Sequence, residues 1–193
     1  MEKHTLSRFL SRYLPLSRED MELIDREIQV RQVPKGTDLL RTGQYARECY
    51  FVLRGCIRRF YLEDGEEITT EFYTEGQPIT PASYIRREPS AYTLQSLEDC
   101  EITLGTPEKT AAFLEEHPRF AVVFGAISGD LLVDEQQALD TFKQLSPEAR
   151  YLRLLAERPN LVQRVPDYQL ASYLGIRPQS LSRIRKRLAE RGS

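Results

Sequence analysis

Apolar residues recur with two different periods along the chain, and the change of period separates helical from extended regions. At the amino end a spacing of three and four residues predicts a first helix, carried by Leu6, Phe9, Leu10 and Tyr13. Ser17 is placed to cap a second helix over 18–25, because its hydroxyl can accept from the free amides of a first turn. Short amphipathic helices are therefore expected before residue 28.

From residue 28 to residue 106 the pattern becomes one of short alternating or β-rich runs divided by turn residues. The predicted strands are Ile28–Val33, Cys49–Leu53, Ile57–Leu62, Ile68–Tyr73, Tyr92–Leu97 and Cys100–Leu104. Asp64-Gly65 stands between two of these runs and predicts a tight hairpin. Several strands at short spacing favour a β-sandwich or a small barrel.

A helical stretch opens at Pro107, and Pro118 lies in the first turn of a long helix that is expected to end near Gln144. Residues of this helix recur at alternating spacings of three and four, as in a heptad seam: Phe124, Ile127, Leu131, Asp134, Ala138, Thr141 and Leu145. Asp134 and Thr141 interrupt the seam. Two interpretations stay open: the helix pairs with its twin in a dimer, or its apolar face covers the barrel of its own chain.

The carboxyl-terminal segment has the pattern of a helix-turn-helix. Ser146 and Pro147 start one helix, and the pair Arg158-Pro159 ends it. Asp167 is placed to cap a second, short helix, and Gly175 supplies a tight turn before a third helix from about Pro178.

The last helix has one apolar side and one polar, basic side. Leu181, Ile184 and Leu188 share the first side, and the opposite side holds Gln179, Ser182, Arg183 and Lys186. Arginine can donate two hydrogen bonds to a guanine edge, and glutamine can bond an adenine edge in the same way. We therefore expect DNA contacts from Arg177, Gln179, Ser180, Ser182, Arg183 and Lys186, with Arg177 and Lys186 meeting phosphate.

Charge is distributed unevenly. The whole chain of 193 residues has a formal charge of −2, but residues 146–193 carry ten Lys or Arg against four Asp or Glu, a net +6, and the remainder carries −8. A small basic segment on an acidic body favours an anionic partner for that segment, although a solvated basic helix has the same composition.

Composition also excludes several classes of protein. Three widely spaced cysteines form neither a disulfide framework nor a metal clip, and two histidines are too few for a metal-dependent barrel enzyme. No nucleophile–base pair is evident, so we expect a non-enzyme. No apolar run approaches the length of a membrane span and no signal peptide is evident, so a cytoplasmic location is expected.

Two stretches resemble the Crp/Fnr family of bacterial transcription regulators: YLGIRPQSLSRIRKRL and VPKGTDLLRTGQYARECYFVLRGCIRRFYLEDGEEITTEFYTEGQ. The first is similar to the family's DNA-recognition segment and the second to its amino-terminal β-roll. The resemblance implies an α+β fold: a jelly-roll of the cyclic-nucleotide-binding type with amino-terminal helices over 1–117, a long dimerisation helix over 118–145, and a winged helix-turn-helix over 146–193.

The chain departs from this family in the short cassette that holds cyclic AMP in some members. The family's Gly-Glu pair falls on Thr80 and Pro81, and its arginine falls on Pro89. Arg86 and Arg87 could supply charge from another direction or lie in a solvated loop. The candidate effector pocket is Thr80, Pro81, Ala82, Arg86, Arg87, Pro89, Ser90 and Ala91. Without the glutamate and the arginine, cyclic AMP is not expected to bind in the usual way.

The resemblance also implies the partners. They are double-stranded DNA with a near-palindromic operator, a second copy of the chain and RNA polymerase, with no membrane. No cofactor is expected, because the first 48 residues lack the cysteines of the iron–sulfur branch and His117, just before the long helix, is a poor haem ligand. An unidentified small-molecule effector stays open. The alternative function is a ligand-binding or protein-interaction module that does not act through DNA.

Overall fold

The computed structural model describes residues 4–191. Its helices are α1 (His4–Leu10), α2 (Arg18–Glu27), α3 (Ala82–Arg86), α4 (Pro107–Glu116), α5 (Arg119–Gln144), α6 (Pro147–Glu157), α7 (Pro159–Arg164), α8 (Asp167–Tyr173) and α9 (Pro178–Arg191). Its strands are β1 (Gln29–Val33), β2 (Asp38–Leu40), β3 (Cys49–Arg54), β4 (Ile57–Glu63), β5 (Glu66–Tyr73), β6 (Pro78–Ile79), β7 (Thr93–Ser96) and β8 (Cys100–Gly105).

The strands form two four-stranded sheets, which confirms the expected β-roll. One sheet has the order β1-β8-β3-β6, and the other has the order β2-β7-β4-β5. In the first sheet β1 and β3 both pair antiparallel with β8. The alternating strands place every second side chain inside, so Val52, Ile57, Phe72, Leu94 and Ile102 are fully buried.

The helix starts follow from the capping residues that the sequence offers. Ser17 and Asp20 form a reciprocal capping box at the start of α2, which confirms the predicted cap. Ser146 accepts from the amide of Ala149 at the start of α6, again as predicted. Thr106 does the same for α4 by accepting from the amide of Lys109.

An apolar cluster joins the amino-terminal helices to β3 and the start of α5. Its buried members are Phe9, Leu10, Ile24, Phe51, Leu53, Phe120 and Val123. A cavity of about 480 Å³ lies beside it, with walls from α1, α2, α4, α5, β3 and β8. The cavity is therefore a gap between helices and the outer face of a sheet.

Two residues of the predicted heptad seam of α5 contact their own chain, which supports the second of the two interpretations for that part of the helix. Ile127 packs against the apolar cluster of its own chain, and Leu131 lines the cavity. Three exposed apolar residues of α5 lie on a different stripe: Val122 is 76% exposed, Leu132 69% and Leu139 52%. Phe124, on the predicted seam, is 41% exposed. The helix thus covers its own barrel with one stripe and leaves a second stripe uncovered in this single chain.

Four short elements were not predicted: β2, β6, α3 and α7. Each spans only two to six residues, too few to establish a period. The expected wing has no counterpart in residues 146–191, which contain helices and turns and no strand. Pro159 starts α7 in the segment that joins α6 to α8.

The described residues divide into two compact units. The first contains residues up to Arg59 and Phe72–Leu132. The second contains Phe60–Glu71 and the residues from Val133 onward. The hairpin between β4 and β5 therefore belongs with the carboxyl-terminal helices. Across 4–191, none of the helices combines the length and the apolarity that a membrane crossing needs.

Candidate nucleic-acid interface

Helices α8 and α9 form the helix-turn-helix that the sequence predicted. Leu170, Ala171, Leu174, Leu181 and Ile184 bury the inner faces of both helices and are at most 5% exposed. Between them Gly175 has a φ of +68°, a left-handed conformation that costs glycine little. The apolar contacts and the turn fix the angle at which α9 leaves α8.

Three bases of α9 are used to hold the helix in place. Arg185 bonds Asp167 at 2.7 Å and the Tyr151 hydroxyl at 2.9 Å. Arg187 and Arg191 both pair with Glu148. Burial opposes the charge on Arg185, but the bonds to Asp167 and Tyr151 outweigh it and raise the pKa of that guanidinium. These arginines therefore act within the fold.

The prediction that Asp167 caps α8 is wrong. The residue before the helix is Pro166, which has no side-chain cap bond, and Asp167 occupies the first turn. Its carboxylate pairs with Arg185 instead. An acid in the first turn still has a favourable interaction with the helix dipole, so the sequence signal was right about the helix and wrong about the contact.

The predicted DNA-contacting side chains lie on the other face of α9. Arg177, Gln179, Ser182, Arg183 and Lys186 are exposed, and Ser180 is half-buried. Arg177, Arg183 and Lys186 form no ion pair within residues 4–191. The Arg183 guanidinium has hydrogen bonds to the Gln179 carbonyl and the Ser180 hydroxyl, at 3.4 and 3.3 Å. The face is a polar, basic and accessible surface on a well-packed helix.

Arg150 supports the turn from behind. Its guanidinium donates to the carbonyl of Leu174 at 2.8 Å, and to those of Phe142 and Leu145 at 2.9 and 3.1 Å. It also lies over the Phe142 ring, 4.3 Å from the centroid. A Cβ on Gly175 would come within 2.9 Å of that ring. One side chain therefore connects the ends of α5 and α8.

The eight candidate effector residues fall on the short segment around α3. Pro81 and Ser90 are buried, and the other six are exposed: Thr80, Ala82, Arg86, Arg87, Pro89 and Ala91. Thr80 lines the cavity beside the apolar cluster. Arg87 ends α3 in a left-handed conformation with a φ of +57°.

The polar groups of this segment are engaged by the protein itself. The Ala82 amide, at the start of α3, donates to the Tyr92 hydroxyl at 3.0 Å. The Ser90 hydroxyl donates to the Tyr92 carbonyl at 2.8 Å. Tyr92 is buried and contacts the Arg59 guanidinium across its ring at 5.6 Å. Sequence reasoning missed Tyr92, because a single tyrosine at the start of a strand gives no local signal of such a contact.

Comparison with known proteins agrees with the fold and the sequence motifs. Residues 30–117 match the family described as the cyclic nucleotide-binding domain. Over 182 residues the chain is 24% identical to the cyclic AMP receptor protein of Thermus thermophilus, covering 92% of this chain and 84% of that protein. The chain is therefore similar to Crp/Fnr regulators in sequence and in fold. This confirms the resemblance stated from its sequence.

Solved structures have the Crp/Fnr fold over nearly the whole chain. FixK2 of Bradyrhizobium japonicum superimposes with a TM-score of 0.72 at 16% identity, covering 86% of each chain. The c-di-GMP responsive global regulator CLP of Xanthomonas campestris has a TM-score of 0.64 at 20% identity, covering 98% of this chain and 92% of that chain. None of these names denotes an enzyme.

Proposed function

We propose that this Crp/Fnr-like protein is a dimeric transcription regulator that binds a near-palindromic DNA site through α9. The observation that carries the proposal is that the basic side chains of α9 fall into two groups, one paired within the fold and one exposed. Arg185, Arg187 and Arg191 are paired within the fold, whereas Arg183 and Lys186 are exposed and have no ion pair among the described residues. A helix that is anchored on one side and basic on the other suits the major groove.

The contacts with DNA divide by chemistry. Arg183 and Gln179 lie in the early turns of α9 and can bond base edges, with Ser180 and Ser182 beside them. Lys186 lies further along and Arg177 just before the helix, where each suits a phosphate. The Ser180 bond orients the Arg183 guanidinium before DNA binds.

The uncovered stripe of α5 supports the dimer. Val122, Leu132 and Leu139 are each more than half exposed, although they are large and apolar. Gly125 and Gly129 lie on the same side at helical spacing, and a Cβ on either would meet nothing within 4 Å. A second α5 would cover this stripe and could approach closely at the glycines. Paired α9 helices would then bind half-sites about 34 Å apart.

Each proposed domain has one role in this function. Residues 1–117 would form the sensor β-roll with its amino-terminal helices, 118–145 the dimerisation helix and 146–193 the DNA-binding helices. RNA polymerase would be the partner that converts DNA binding into regulation of transcription.

The sensor domain would not bind cyclic AMP in the usual way. Thr80, Pro81 and Pro89 supply no carboxylate or guanidinium, and the Ala82 amide that begins α3 already has the Tyr92 hydroxyl as its acceptor. Arg86 and Arg87 are exposed. Any effector would have to be another molecule that displaces this contact or binds elsewhere, and no cofactor or metal is needed for the DNA contact.

The test is selection of random duplex DNA on the purified protein at two salt concentrations. A two-fold symmetric motif is expected, with affinity that falls steeply as salt rises. Arg183→Ala should cost about 1–3 kcal/mol and relax preference at one base position, whereas Lys186→Ala should weaken all sequences alike and lower the salt slope. Arg18→Ala, which removes an exposed charge from α2, is the matched control and should change neither property.

Two results would contradict the proposal. If Arg183→Ala leaves the selected motif unchanged, α9 does not contact bases through that side chain. If the wild-type protein selects no motif and binds no duplex at low salt, the alternative module that acts without DNA becomes the better explanation.

A further inference from the structure

We infer that the β4–β5 hairpin, Phe60–Glu71, is a clasp on the helix-turn-helix and that it sets the orientation in which α9 meets an operator. The inference rests on the proposed DNA-binding function and deepens it by naming a regulatory contact. The hairpin belongs to the same compact unit as α6 to α9. The contacts that join them involve residues about 100 positions apart in the sequence.

The central contact is a single serine on α8. The Ser172 hydroxyl accepts from the Thr69 amide at 2.9 Å and donates to the Glu67 carbonyl at 3.4 Å. β5 is the edge strand of its sheet, so the outward amides and carbonyls of this strand have no neighbouring strand. One hydroxyl that accepts from residue 69 and donates to residue 67 satisfies the two groups that a neighbouring strand would have engaged.

A second contact lies two residues further along the same strand. The Arg158 guanidinium pairs with the Glu71 carboxylate at 3.4 Å, and each side chain is about one-fifth exposed, 23% and 20%. Tyr173, next to Ser172, lies in the same surroundings. Burial first, and then the Glu71 charge, raise the pKa of its phenol to about 12, so it stays neutral and Arg158 balances Glu71.

The contacts at 67 and 69 hold α8 along the direction of β5, and the contact at 71 holds Arg158, at the junction of α6 and α7. A strand within a sheet is a stiff element, and contacts at alternate residues resist rotation better than a single one does. Because Leu170, Ala171 and Leu174 bury the inner face of α8 against α9, fixing α8 also fixes α9. A dimer that must meet two half-sites at once has less orientational freedom to lose when both helices are already fixed.

The experiment compares Ser172→Ala with Ser172→Thr, which keeps the hydroxyl, and with Ser11→Ala as the matched control. Ser11, in the turn after α1, also donates its hydroxyl to a backbone carbonyl, but it lies on the amino-terminal side of the chain. Ser172→Ala should weaken binding to the selected two-fold operator about 10-fold, as expected from losing two hydrogen bonds. Binding to a single half-site should change less than about 2-fold, since only the paired geometry depends on the clasp. Ser172→Thr and Ser11→Ala should match the wild type.

Hydrogen exchange at the Thr69 amide gives an independent readout, and exchange should become faster in Ser172→Ala only. Glu71→Gln provides a second variant, with a smaller loss of operator affinity in the same direction. Faster exchange at Thr69 with operator affinity equal to that of the wild type would overturn the inference, because the contact would then be structural only. Equal loss on operator and half-site would also overturn it. A wild-type protein that selects no operator would instead remove the proposed function and the clasp's role together.

Discussion

Replacement of Arg150 by alanine tests whether one half-buried side chain holds the carboxyl-terminal helices to the end of α5. The guanidinium donates to three carbonyls, those of Phe142, Leu145 and Leu174, and lies over the Phe142 ring. All three carbonyls lie near helix ends, where no intrahelical partner is available to them. Arg150→Ala removes every one of these contacts at once.

The expected loss can be built up from the surroundings of each contact. Leu174 is 2% exposed, so water cannot replace its charge-assisted bond, which contributes about 2 kcal/mol. Phe142 is 48% exposed, so water replaces most of that bond, and the carbonyl and ring contacts there contribute about 1 kcal/mol together. The Nε of Arg150 is buried without a hydrogen-bond partner, and removing it offsets part of the loss. The net cost is about 2–3 kcal/mol.

Urea unfolding followed by far-UV circular dichroism measures this cost, with calorimetry as a second readout. For a chain of this size the transition temperature should fall by about 4–12 °C. Arg150→Lys keeps the positive charge but not the planar set of N–H donors, and it should lose about half as much stability as Arg150→Ala. Arg153→Ala, on the same helix, loses an exposed pair with Glu157 and an exposed hydrogen bond to the Thr141 hydroxyl, and should cost less than about 1 kcal/mol. A loss for Arg150→Ala no larger than that for Arg153→Ala would refute the reasoning.

Two further predictions concern the amino-terminal unit. Gly55→Ala should severely destabilise this unit, because φ at residue 55 is +108° and the new Cβ would lie 2.5 Å from the Cys100 Sγ. Thermal unfolding measures the loss of stability. A transition temperature equal to that of the wild type would contradict the prediction. Asp20→Asn should remove the part of the stability that depends on the charge of this carboxylate and is lost in acid. The Ser17 amide, aided by Arg119, lowers the pKa of Asp20, so its contribution is present above the unfolded pKa and lost as pH falls through the folded one. The gap in Tm between variant and wild type should be wide at neutral pH and close below about pH 4; a gap that is independent of pH would contradict this.

The sequence predicted the elements that have a clear period or a clear cap. The six predicted strands, the hairpin at Asp64-Gly65 and the helix-turn-helix around Gly175 all lie where their patterns put them. Ser17 and Ser146 cap the helices they were expected to cap. These features are local, because each depends on residues within a few positions of one another.

The contacts that escaped prediction join residues distant in sequence. Nothing near Ser172 indicates that it meets Thr69, and nothing near Tyr92 indicates that its hydroxyl accepts from the Ala82 amide. The sequence left the role of the α5 seam open for a related reason. Its helical period was visible, but Ile127 and Leu131 could face either a partner or their own chain, and only the tertiary structure shows that they face their own chain.

In the proposed dimer, the glycines at 125 and 129 would link the stability of α5 to the concentration of the protein. A glycine within a helix costs about 1 kcal/mol relative to alanine, and neither position has a neighbour in the single chain that an alanine would displace. The isolated helix is thus less stable than it could be. If a second copy supplies the missing contacts, mass action makes the melting temperature rise with protein concentration. Alanine at both positions would stabilise the separated chains and weaken that dependence, so dilution alone reports whether the helix is completed by its twin.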